Sequence, residues 1–175
     1  MSIFRRLFRD GSDRASLRPL YDAVVAQARA PAWYREGRVP DTVDGRFDMI
    51  AALLSLVLIR LESDGAPGRA PAALLTESFI SDMDGQLREL GIGDVVVGKH
   101  MGKMMGALGG RLDAYRRTID TSDNGLEDAL VRNLYRDAAP PPEALAFVVT
   151  RLRQTARLLA DQPLDALLAG RMPQP

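Results

Sequence analysis

The chain has no cysteine and one histidine in 175 residues. The first absence excludes disulfides, thiol nucleophiles and thiolate metal sites, and it fits a reducing compartment. The second leaves His100 as the sole imidazole, too little for a histidine-based metal or acid–base centre, and its spacing from Asp94 makes no metal site. Net charge is missing as well. With 23 basic and 23 acidic residues the formal charge is zero, so no global attraction to nucleic acid or anionic lipid is expected, and DNA is not an expected partner. Long apolar runs are lacking too. The longest, MIAALLSLVLI from Met49 to Ile59, spans only about 16 Å as a helix, roughly half a bilayer core. It reads as a buried helix. The start, MSIFRRLFR, is basic and amphipathic but has neither the apolar region nor the small-residue cleavage site of a secretory signal.

What remains is the composition of a soluble globular protein, 46% hydrophobic and 26% charged. Its length suits one domain with a sizeable core. Helical periodicity runs nearly throughout. Leu17, Leu20, Tyr21, Val24 and Val25 give a helix from about Ser16 to Ala30, closed by Pro31. PAWYREGRVPDT reads as a connector holding about one helical turn, and Asp41 or Thr42 then caps a helix running to Ser63. SDGAPGRAP is the clearest loop. Further helices are expected over 72–90, 94–119, 126–135, 143–160 and 163–169, with GRMPQP as a frayed tail. No alternating strand pattern of useful length and no internal repeat is present. The predicted fold is all-α, a single-domain bundle of about six to eight helices. Residues 1–14 form a basic amphipathic tail, 15–170 the helical domain and 171–175 a second tail.

One stretch stands out, VGKHMGKMMGALGGRLDAY from Val97 to Tyr115. In helical projection Val97, Met101, Met104, Met105, Leu108, Leu112 and Tyr115 share a broad apolar face. Gly98, Gly102, Gly106 and Gly109 fall beside it as a strip without side chains. Each interior glycine costs about 1 kcal/mol relative to alanine, so something must offset it. Close approach of a neighbouring helix within the domain is the leading explanation, with a partner's helix or a local kink as alternatives. Methionine suits both irregular cores and adaptable apolar surfaces. Lys99, Lys103 and Arg117 line the far side as a small basic stripe. Trp33 and Tyr34, next to Arg35 and Arg38, offer either a partly buried aromatic anchor or an interface patch.

Enzyme chemistry finds no foothold. GKHMGKMMG lacks the spacing of a phosphate-binding P-loop, and DMDG at Asp82–Gly85 lacks the later ligands of a calcium loop. No serine has a histidine or lysine at a telling spacing. No catalytic residue, metal site or cofactor is expected.

Two blocks carry a resemblance: VPDTVDGRFDMIAALLSLVLIRL, Val39–Leu61, and ESFISDMDGQLRELGIGDVVVGKHMGKMMGALGGRLDAY, Glu77–Tyr115. Together they resemble the ubiquinol–cytochrome c chaperone family. The carrying residues are Pro40, Asp41, Thr42, Arg46 and Phe47, then Asp82, Asp84, Arg88, Glu89, Gly91, Asp94, Gly98, Lys99, Met101, Arg111 and Tyr115. The similarity spans roughly Ala32 to Asp137, and the ordered combination is specific where a piece such as PDT is not. It implies an all-helical, non-catalytic assembly factor, here a bacterial member, whose client is cytochrome b or another apolar membrane protein. It also implies ribosome contact for mitochondrial members. Such a factor needs an adaptable apolar surface, for which Met101, Met104 and Met105, the glycines at 98, 102 and 106, Lys99, Lys103, Trp33 and Tyr34 are candidates. Phe4, Arg5, Arg6, Leu7 and Phe8 are candidates for weak contact with a membrane surface. The expected location is the cytoplasm, with a peripheral contact at the inner membrane. A small helical lipid- or quinone-binding protein, with a cavity between the Met-rich helix and MIAALLSLVLI, and a ribosome-associated binding module are the alternatives.

Overall fold

A computed structural model describes the backbone of residues 3–89 and 94–175, and the side chains of 16–85, 102 and 105–175. Among these residues there are eight helices and no strand: α1 (Ile3–Ala28), α2 (Pro31–Arg35), α3 (Val43–Ser63), α4 (Ala66–Glu89), α5 (Asp94–Thr118), α6 (Gly125–Asn133), α7 (Pro142–Asp161) and α8 (Leu164–Leu168). The all-α expectation holds.

The helix that is apolar all round is the central one. From Met49 to Leu58 every residue of α3 is buried, on every face, because α1, α4, α5 and α7 surround it. Thr42 is the N-cap: its backbone is extended and its Oγ1 accepts the Gly45 N–H at 3.1 Å. Replacing Thr42 by alanine should cost about 1 kcal/mol, read as a lower urea midpoint at unchanged m-value. At the other end of α3, Arg60 ties two helices together. It pairs with Asp64, while its Nε donates to Leu159 O at 2.7 Å and its Nη2 to Gln162 O at 2.8 Å. A cation on the last carbonyls of α7 suits the negative end of that helix.

Three expectations are corrected. The loop SDGAPGRAP shrinks to Asp64 and Gly65, and α4 starts at Ala66. Pro67 sits in the first turn, where its missing N–H costs nothing. Gly68 lets α4 turn back tightly, since a Cβ there would lie 1.7 Å from Leu61 O. Secondly, α1 begins at Ile3, well before the start expected near Ser16. Thirdly, the residues after α8 do not fray. Gly170 takes φ +83°, Met172 packs on the core, and Pro173 O and Pro175 O accept hydrogen bonds from Gln27 and Arg151.

Candidate functional site

The inward side of α5 is made by Leu108, Arg111 and Tyr115, continued by Ile119 just beyond its end, all buried, with Leu112 packed against the same core. The glycines lie elsewhere. A Cβ added at Gly102, Gly106, Gly109 or Gly110 would meet no atom within 4 Å. The expectation that the glycine strip packs against a neighbouring helix of the domain is therefore overturned for Gly102, Gly106 and Gly109. They line an open strip on the outer side of α5, and beside it Met105 is 37% exposed. The intrinsic cost of four such glycines, about 4 kcal/mol, goes unrepaid by any contact among the described residues. Gly98, Lys99, His100, Met101, Lys103 and Met104 lie outside the described side chains, as do Phe4, Arg5, Arg6, Leu7, Phe8 and Asp94.

The motif residues that are described hold the scaffold beneath this strip. Arg111 reaches inward from α5, and its Nη2 donates to Asp48 Oδ1 on α3 and to Asn133 O at the end of α6, the latter at 3.1 Å. Arg136 closes the other side, with Nε on Asp48 Oδ2 at 2.8 Å and Nη1 on Asp44 at 2.7 Å. Asp48 has no exposed side-chain surface. Burial pushes its carboxyl up, against the pull of Arg136 and Arg111. The guanidinium of Arg111 stands 5.6 Å over the Phe47 ring, which in turn packs on Phe79 at 5.5 Å. Tyr115 is buried one turn along, with its hydroxyl lacking a partner among the described residues, and burial raises its pKa.

On the far side of α4, the Tyr21 hydroxyl donates to Asp82 Oδ2 at 2.8 Å, clipping α1 to α4. Burial and the Asp82 carboxylate both push the phenol up. Tyr21→Phe should cost about 1 kcal/mol in a denaturant titration, while leaving helical content unchanged. Asp41 and Arg46 form an exposed pair at 2.7 Å, and the guanidinium holds the Asp41 carboxyl below its ordinary value. Asp84 is half-buried on α4. Trp33 is 2% exposed, its indole N–H donating to Gln27 O at 2.9 Å. It is an anchor rather than an open interface patch, which corrects that alternative. Tyr34 is half-buried and donates to Ala28 O.

Sequence reasoning missed Asp44, Asp48 and Arg136. The available signal was Asp48 itself, a carboxylate at the threshold of the longest apolar run. Clefts of about 380 Å³, at Arg29, Tyr34 and Arg46, and about 310 Å³, at Gln27 and Trp33, lie away from the contact of α3 with α5. The cavity imagined for a lipid or quinone between those helices is not favoured, since their inward side chains pack directly on one another. Among the described residues no helix is long and apolar enough to cross a membrane.

Comparisons with known proteins agree with this scaffold. A family model described as Ubiquinol-cytochrome C chaperone matches residues 35–173. The ubiquinol-cytochrome-c reductase complex assembly factor 1 of Xenopus laevis is 24% identical over 157 residues, which cover 89% of this chain and 78% of that protein. The crystal structure of the Cbp3 homolog from Brucella abortus superposes with a TM-score of 0.80 at 33% identity, covering 98% of this chain and 96% of that one.

Proposed function

Because the chain belongs to the ubiquinol–cytochrome c chaperone family, we propose that it holds cytochrome b, through an apolar membrane-spanning segment, during biogenesis of ubiquinol–cytochrome c reductase. The family role is that of a non-catalytic assembly chaperone, and a client within that complex follows from it. Cytochrome b is the finer reading. One observation supports it: α5 spends four glycines on an open strip that no other part of the described residues covers. Small residues let a second helix axis come close, and in an apolar client van der Waals contact of that kind is the main source of helix association. Met105 at the edge adds a soft, adaptable contact, and Gly98, Met101, Met104, Lys99 and Lys103 extend the same helix. Asp48, Arg111, Arg136 and Phe47 hold α5 in place from behind.

The cysteine-free chain makes the test clean. Single cysteines at Gly106 on the strip and at Thr150 on the exposed side of α7 can each carry a photo-crosslinker in the native host. The Gly106 position should yield a cytochrome b adduct and the Thr150 position should not. Deleting the gene should deplete assembled complex. Normal complex levels in the deletion strain, or adducts equal at both positions, would sink the reading. A weak peripheral contact of Phe4, Arg5, Arg6, Leu7 and Phe8 with the inner membrane belongs to the same proposal. It predicts co-sedimentation with anionic vesicles that disappears when Phe4 and Phe8 become serine.

A further inference from the structure

The segment after α8 lies in a groove between α1 and α7 whose chemistry is more specific than tail packing requires. Its wall is aromatic: Trp33 and Phe147 meet edge-to-face at 6.3 Å. Arg151 lies over both rings, 5.5 Å from Trp33 and 5.3 Å from Phe147. Two donors point at the seated chain. Gln27 Nε2 donates to Pro173 O at 3.2 Å, and Arg151 Nη2 donates to Pro175 O at 2.9 Å. The accepting main-chain oxygens are two residues apart, and both belong to proline.

This is a match of chemical types. Proline has no N–H, so a Pro-x-Pro strand brings acceptors into an apolar groove without leaving donors stranded there. Its backbone is already extended before it binds, which lowers the entropic cost of docking. The groove offers the complement, an aromatic wall with side-chain donors set one repeat apart.

The resident segment leaves the groove part-filled. Clefts of about 310 Å³, over Ala26, Gln27 and Trp33, and about 430 Å³, over Phe147, Arg151 and Gln154, flank Pro175. Gln27 Oε1 and Arg151 Nε are buried with no partner among the described residues. From the seated segment, the matched donors and the unfilled ends, we infer that this groove is a docking site for an extended, proline-bearing segment of a partner protein. Residues Met172–Pro175 occupy it in cis until such a segment displaces them. The site is separate from the glycine strip and stands whether or not cytochrome b is the client.

The probe is a fluorescein-labelled peptide, GRMPQP, the chain's own residues 170–175. It is titrated by polarisation into the full-length chain and into full-length Pro173→Gly/Pro175→Gly, whose own segment is loosened. Trp33 is the only tryptophan, so its emission reports occupancy independently. The loosened chain should bind at least about tenfold more tightly, because the intact chain competes with a tethered ligand at an effective concentration in the millimolar range. Adding Gln27→Ala to the loosened chain, with helical circular dichroism unchanged, should abolish binding and the Trp33 response. Equal affinity for both chains would show that the segment does not occupy the site. Absence of binding to the loosened chain would overturn the groove itself. A dimer of the intact chain that Pro173→Gly/Pro175→Gly dissociates would overturn the cis arrangement.

Discussion

Asp48→Ala is expected to destabilise the fold by about 3–5 kcal/mol, measured as ΔG of unfolding in guanidinium chloride at neutral pH. The cause is what the substitution leaves behind. Arg111 is 8% exposed and loses its carboxylate partner, so a guanidinium is stranded between α3 and α5 with Asn133 O as its remaining acceptor among the described residues. Arg136 is half-exposed and can turn to water or keep Asp44, so it contributes less to the loss. A double replacement separates the pair's geometry from its charge. Asp48→Leu with Arg111→Met removes both ions and fills the space, and it should recover most of the stability. A loss below about 1 kcal/mol in Asp48→Ala would mean that the network is ornamental.

Gly102→Ala/Gly106→Ala should do something less usual, raising stability while destroying function. Both methyls would enter open space, so the helix gains about 1 kcal/mol per position and about 2 kcal/mol in all. On the proposed client face the same methyls hold a second helix away. Client capture should fall by about tenfold or more, equivalent to at least about 1.4 kcal/mol of association. Denaturant titration checks the first half. Crosslinking yield and the level of assembled ubiquinol–cytochrome c reductase check the second. A stabilised variant with full assembly activity would remove the glycine strip from the mechanism. Stability gained at the cost of function is a common trade where a site is built from locally unfavourable residues.

What could be read from the residues, and what could not, divides along the range of the interaction. The periodicity of Leu75, Phe79 and Met83, and the all-round apolarity of Met49–Leu58, located α4 and α3 because burial of a helix face is written locally. The resemblance pointed to a set of motif residues but not to the contacts they make. That Arg111 meets Asp48, sixty-three positions away, has no local signature. The region at Pro67 and Gly68 looked like a loop because glycine and proline usually punctuate. Only the approach of Leu61 O shows why this glycine belongs in a helix. The α5 glycines were misread in the opposite direction. Their cost was correctly judged to need an explanation, but whether anything lies opposite them is a tertiary fact. The seating of Pro173 and Pro175 was likewise invisible, since the Trp33 and Arg151 that receive them come from distant parts of the chain.

The carboxylate of Asp48 is reached from Arg111 and from Arg136, at sequence separations of 63 and 88. Arg136 and its neighbour Asp137 both hold positive φ, at 52° and 66°, an uncommon backbone for residues other than glycine. Contacts that span such long loops form after the local helices and cannot stabilise the earliest folding nucleus. Their free energy is therefore expected to fall chiefly on the unfolding step, so that replacing Asp48 speeds unfolding more than it slows folding. The junction would then be a late-closing clasp that sets how long the native state persists. If the α5 strip is the client face proposed above, a protein that presents such a costly, open helix face between encounters depends on that persistence.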